Sequence, residues 1–122
     1  EKVENVFTFG THGSTFGGNP VCSAGAISIL KRLTPEFLND VKRKSKIIFE
    51  TLSSAEGVES VTGMGLMLGI DTEKPAGDVI KTCMERGVLV LSAHGKVRLL
   101  PALNIPMDLL QKAVTIIKEC CK

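Results

Sequence analysis

Ser14 and Thr15 are adjacent hydroxyls inside Gly13-Ser14-Thr15-Phe16-Gly17-Gly18-Asn19-Pro20, a stretch bracketed by glycines and set just ahead of a helix start. Glycine lets backbone amides approach a ligand closely, hydroxyls donate to phosphate oxygens, and a helix N-terminus adds partial positive charge. The chemistry expected of such a loop is the binding of a phosphate or similar anion. Ordinary turn chemistry uses the same residue types, so the spacing alone leaves a simple turn open as well. The loop has neither the Gly-Lys-Ser/Thr ending of a Walker sequence nor the G-x-G-x-x-G spacing of a dinucleotide fold.

Arg98 is the second residue with chemical potential. It stands between Val97 and Leu99 in an apolar strand, where an unpaired guanidinium is costly. It must therefore meet a carboxylate, from a substrate or from a protein acid, and its planar fork suits either. His12 and His94 are read as structural, since neither has a Ser or Cys nucleophile with an orienting acid in view. The cysteines at 22, 83, 120 and 121 lack C-x-x-C spacing and are read as small hydrophobes, not as a zinc site. Free thiols fit a reducing compartment.

The elements that must position these residues follow from pattern. Asn19 is a cap and Pro20 a first helical residue, opening a helix from Pro20 to about Leu33. Thr34-Pro35-Glu36 restarts a second helix, with Leu38, Val41, Ile48, Phe49 and Leu52 on its apolar face and an irregularity around Ser45. Val58 to Thr62 and Met64 to Asp71 read as strands joined across Gly63 and Gly65. Ala76 to Arg86 reads as a helix stopped by Gly87, and Val88 to Leu91 and Val97 to Leu100 as two further strands. A last helix runs from about Met107 to Cys120, and Val6-Phe7-Thr8-Phe9 is β-prone. Helices and strands that do not alternate regularly predict an α+β fold, a small sheet of about three to four strands covered by helices mainly on one face.

Composition bounds the function. The 122 residues, 43% of them hydrophobic, suit a globular domain and not a disordered one. Fifteen basic against thirteen acidic residues leave a charge of +2, and there is no Trp or Tyr, so nucleic acid is not an expected partner. The longest apolar runs are far too short to cross a bilayer and no signal region opens the chain, so a soluble cytoplasmic protein is expected, with no membrane partner. Without an initiating methionine, the sequence reads as a piece of something larger.

Thr11-His12-Gly13-Ser14-Thr15-Phe16-Gly17-Gly18-Asn19-Pro20, followed by Cys22-Ser23-Ala24-Gly25-Ala26, resembles the signature of class III pyridoxal-phosphate aminotransferases, nearest the acetylornithine and ornithine branch. Arg86-Gly87-Val88-Leu89-Val90-Leu91-Ser92 and Val97-Arg98-Leu99-Leu100-Pro101-Ala102-Leu103-Asn104-Ile105 resemble the C-terminal region of that branch. Thr62-Gly63-Met64-Gly65-Leu66-Met67-Leu68-Gly69 is similar to its glycine-rich strand pair. Two motifs in the right order are far more specific than either alone.

The resemblance implies a fold type I transferase, with 1–19 the tail of the large cofactor-binding domain and its phosphate loop, 20–33 a connecting helix and 34–122 the C-terminal small domain. It implies that Thr15 reaches the phosphate of pyridoxal 5'-phosphate in the neighbouring subunit of a homodimer, with Ser14 beside it. It implies that Arg98 engages a substrate carboxylate or a glutamate that swings away when a dicarboxylate binds. The lysine that holds the cofactor and the acid on its pyridine nitrogen are expected upstream of Glu1, so the chain alone is not expected to catalyse. The parent would exchange an amino group between N-acetylornithine and 2-oxoglutarate in arginine biosynthesis. Pro101-Ala102 stands where relatives often carry two prolines, and His94 where glycine is common; both bear on loop shape and not on Arg98. Two alternatives stay open: an ornithine or succinylornithine aminotransferase, and a free-standing α+β module whose loop binds a phosphate by itself.

Overall fold

A computed structural model describes residues 4–122, which fall into two compact units, one ending at Thr34 and the other spanning Pro35–Lys122. In the first unit the only helix among the described residues is α1 (Pro20–Leu30). Its start is set by side-chain chemistry: Asn19 Oδ1 accepts from the N–H groups of Val21 at 3.0 Å and Cys22 at 3.1 Å, and Pro20 takes the first turn. The β-prone stretch around Val6–Phe9 forms no strand. Thr11 Oγ1 accepts from the Thr8 N–H at 2.9 Å and donates to the Thr8 carbonyl at 2.7 Å, so backbone groups that a strand would share are satisfied within one turn.

The second unit runs α2 (Pro35–Leu52), β1 (Val58–Met64), β2 (Met67–Thr72), α3 (Ala76–Glu85), β3 (Leu91–Ala93), β4 (Lys96–Leu99) and α4 (Met107–Cys121). The four strands form one antiparallel sheet in the order β1-β2-β4-β3. Leu68 and Ile70 of β2 and Val97 and Leu99 of β4 are buried, and they share a core with Ile48 and Leu52 of α2, Val79 of α3 and Val114 and Ile117 of α4. Side chains alternate along a strand, so Gly69, Asp71, Lys96 and Arg98 take the opposite face. The α+β arrangement with helices over one face is thus the observed one.

Helix α2 buries Val41, Ile48 and Leu52 as its pattern predicts, but Leu38 is 42% exposed and Phe37 packs on the core instead. The irregularity near Ser45 has a cause in Lys44, which fills the helical position between Val41 and Ile48 and is only 4% exposed. Its stem is core, and its Nζ donates to the Leu103 carbonyl at 3.1 Å and pairs with Asp40 Oδ2 at 2.7 Å. The charge thereby fastens α2 to the segment that follows β4.

Strand β3 starts at Leu91, three residues later than its apolar run suggests. Gly87, at φ +82°, ends α3 with its own N–H on the Met84 carbonyl and the Val88 N–H on the Cys83 carbonyl, a Schellman motif that uses Val88 for capping. Pairing with β4 then covers Leu91↔Arg98, Ser92↔Val97 and Ala93↔Lys96. His94 and Gly95 close this hairpin with φ of 51° and 81°, the left-handed pair of a type I′ turn.

Gly57, at φ +79°, links α2 to β1 where an added Cβ would lie 1.9 Å from the Cys121 carbonyl oxygen. Gly57→Ala is expected to destabilise the chain by about 1–3 kcal/mol from the backbone conformation alone, with the clash adding to it. A lowered urea midpoint measures this; an unchanged midpoint would show that the α4 end is not held against this turn.

Candidate functional site

Two sets of residues matter, one in each unit. In the first, Gly17 packs against Ser14, whose Cβ lies 3.1 Å from where a glycine-17 side chain would begin, and Gly18 has a φ of 73° that L side chains rarely adopt. The turn closes through the Asn19 N–H on the Phe16 carbonyl at 3.1 Å. Ser14 and Thr15 are exposed, and neither hydroxyl has a hydrogen-bond partner among the described residues. Adjacent hydroxyl donors on a glycine-bracketed turn fit a phosphate.

The helix itself contributes less than the sequence suggests. Asn19 Oδ1 already occupies the N–H groups of Val21 and Cys22, and the Ser23 N–H bonds the Asn19 carbonyl at 2.9 Å. An anion at this loop would therefore meet the loop's hydroxyls and amides, not free N–H groups of α1's first turn. His12 stacks on Phe7 with ring centroids 4.9 Å apart, in keeping with a structural role.

In the second unit the sheet face turned away from α2, α3 and α4 carries the charge. Arg98 lies opposite Gly69 on β2 and Leu91 on β3. Its Nε is buried without a hydrogen-bond partner, and it makes no ion pair among the described residues. Arg98 also borders an apolar cavity of about 290 Å³ that reaches the helix-covered core, walled by Ile48, Val114, Ile117, Leu100, Pro101 and Ile105.

The acid on that face is taken by another cation. Lys96 Nζ pairs with Asp71 Oδ2 at 2.7 Å, and the Ser60 hydroxyl donates to the same oxygen. These two bonds, Lys96's first, hold the Asp71 carboxyl below the usual carboxylate range. Sequence reading raised a nearby acid as one partner for Arg98, and the structure gives Asp71 to Lys96 instead. Lys96, Asp71 and Ser60 were not anticipated, although Lys96-x-Arg98 and Leu68-x-Ile70-Asp71 carry the alternation that puts them on one face.

The cysteines offer no reactive centre in this unit. Cys83, Cys120 and Cys121 are buried. Burial first, and then the neighbouring Cys120, push the Cys83 thiol up to about 12, far from a thiolate at neutral pH. No group of three or more potential metal ligands occurs among the described residues. No described helix is long and apolar enough to cross a membrane.

Comparison with known proteins agrees with the fold. A family model described as aminotransferase class-III matches residues 1–121. Acetylornithine aminotransferase of Haemophilus ducreyi is 40% identical over 121 residues, covering 98% of this chain and 31% of that protein. Among solved structures, an ornithine delta-aminotransferase of Plasmodium falciparum superposes with a TM-score of 0.76 at 30% identity, covering 95% of this chain and 32% of that one. An acetylornithine aminotransferase of Elizabethkingia anophelis gives 0.75 at 28% identity, covering 94% and 31%. The chain spans about a third of the length of the curated relatives it matches. It belongs to the class-III aminotransferases.

Proposed function

We propose that this chain is the C-terminal third of an acetylornithine aminotransferase that uses pyridoxal 5'-phosphate to exchange an amino group between N-acetylornithine and 2-oxoglutarate, a step of arginine biosynthesis. The observation that carries the reading is Arg98, a guanidinium on the uncovered sheet face whose buried Nε lacks a partner. A buried unsatisfied donor of a charged group is costly, and a carboxylate from an amino acid or 2-oxo acid removes the cost. The match to relatives named acetylornithine aminotransferase supports the choice of substrate.

In this reading Thr15 and Ser14 donate to the cofactor phosphate, with Thr15 serving the neighbouring subunit of a homodimer. Their unpartnered hydroxyls on a glycine-bracketed turn support the assignment. The bound cofactor supplies the electron sink for moving the amino group. Arg98 contributes orientation: two parallel N–H donors fix the plane of the substrate carboxylate, which a single ammonium does not. The lysine that bonds the cofactor belongs to the rest of the polypeptide, and the 122 residues alone do not catalyse. A cytoplasmic location is part of the same proposal, supported by four free cysteines. Ornithine is the competing donor, favoured by the likeness to the Plasmodium falciparum structure; an assay of both donors on the full-length enzyme separates them.

Thr15→Val in the full-length enzyme is expected to weaken cofactor binding by about 1.5–3 kcal/mol, or about one to two decades, because it removes one hydrogen bond to a charged phosphate. Equilibrium titration of the cofactor into the apo variant measures this, and unchanged affinity would reduce the loop to a turn. In mixed dimers a mutant subunit should impair its neighbour.

Arg98→Lys is expected to lower kcat/KM about tenfold or more with little change in Tm, since the charge survives and the fork is lost. Both half-reactions and the melting temperature are read on the same variant. Normal half-reactions with a lowered Tm would make Arg98 a scaffold residue.

A further inference from the structure

The uncovered face of the sheet holds two cations and one acid in neighbouring registers. Ile70 pairs with Val97 and Gly69 with Arg98, so one step further along the ladder Asp71 faces Lys96 directly and Arg98 diagonally. Directly opposed side chains start about 5 Å apart and diagonal ones about 7–8 Å, the latter still within reach of a long side chain. Of the residues that β2, β4 and β3 present on this face, namely Met67, Gly69, Asp71, Lys96, Arg98, Leu91 and Ala93, Asp71 is the only acid. Arg98 would otherwise be its natural partner, because a guanidinium forks a carboxylate better than an ammonium does.

Three features hand Asp71 to Lys96. Gly69 leaves the lane open: a Cβ there would sit 3.1 Å from Lys96 Cδ, so the lysine stem runs over the glycine. Lys96 Nζ then reaches Asp71 Oδ2 at 2.7 Å, with Thr62 Oγ1 at 3.5 Å. The Ser60 hydroxyl donates to the same carboxylate oxygen from the far side, drawing the acid toward β1 and away from Arg98.

We propose that Lys96 is a positioning residue: by holding Asp71 it keeps the one acid that β2, β3 and β4 present beside Arg98 from quenching it, so that Arg98 stays open to a carboxylate ligand. The proposal rests on the reading of Arg98 given above. It separates two roles for two cations on one strand face. Lys96 neutralises the protein's own carboxylate, and Arg98 is kept for one that arrives from solution. Losing Lys96 releases Asp71 to fold back on Arg98 as an internal competitor. Losing Asp71 releases only a second cation, which does not compete.

The pair therefore has an asymmetric signature that a merely structural salt bridge lacks. The test is calorimetric titration of the full-length holoenzyme with glutarate, a dicarboxylate with no carbonyl or amino group to react. Lys96→Met is expected to raise the Kd for glutarate about tenfold, corresponding to one lost charge-assisted contact. Asp71→Asn alone should bind no more weakly than the wild type, and Lys96→Arg, which can still hold Asp71, should bind like it. The double variant Lys96→Met with Asp71→Asn should recover affinity to within about threefold of wild type, the coupling expected of two residues acting through one contact. Equal weakening in Lys96→Met and Asp71→Asn, no change in Lys96→Met, or a double variant as weak as Lys96→Met would each overturn the proposal. Arg98→Gln distinguishes the premise: unchanged glutarate affinity in that variant would mean that Arg98 is not the carboxylate site, whatever Lys96 does. Far-ultraviolet circular dichroism on each variant shows that the loss is not unfolding, and the double variant, lacking the same lysine, controls for any fold defect of Lys96→Met.

Discussion

Burial of one face of a four-stranded sheet under α2, α3 and α4 is the constraint on which the rest of the second unit depends. Leu68, Ile70, Val97 and Leu99 must all point into the core with Ile48, Leu52, Val79, Val114 and Ile117. Side chains alternate with a period of two, so a slip of one residue would expose that whole set and bury Asp71, Lys96 and Arg98. Such a slip exchanges apolar burial worth about 1.5–3 kcal/mol per large side chain for the desolvation of three charges. The hydrophobic register thus fixes the polar one. Arg98 owes its place on the uncovered face to Val97 and Leu99 on either side of it.

The same packing governs what surrounds that face. Lys44 supplies a buried cation from α2 to the Leu103 carbonyl, which restrains the segment just beyond Arg98. The Schellman end of α3 at Gly87 and the left-handed pair His94 and Gly95 set where β3 and β4 meet. Gly69 does for side chains what these turns do for backbone, leaving a path for the Lys96 stem. Of these features, Gly69 bears directly on which of two cations meets Asp71, because the Lys96 stem runs over it.

Much of this was legible in the sequence because it is short-range. The Asn19 cap, Pro20 and the stop at Gly87 depend on residues within a few positions of one another, whereas β1 runs on through Gly63 to Met64 and β2 starts only at Met67, because those residues pair across the strands. Residues that depend on distant partners were less legible. Leu38 and Phe37 are equally apolar, and it is Phe37 that packs against the core. Lys44 looks like a break in an apolar stripe until the Leu103 carbonyl is in place. Arg98 and the Ser14–Thr15 hydroxyls stood out by type and setting, supported by the family resemblance. The Lys96–Asp71 pair spans 25 residues and appears only once β2 and β4 are in register.

The central claim is that the uncovered sheet face presents Arg98 to a ligand carboxylate while Asp71 stays with Lys96. A crystal structure of the full-length holoenzyme soaked with glutarate tests it most directly. The expected result is a glutarate carboxylate bonded to the Arg98 guanidinium, with Asp71 still paired to Lys96 and Ser60. Glutarate bound elsewhere, with Asp71 turned onto Arg98, would contradict it.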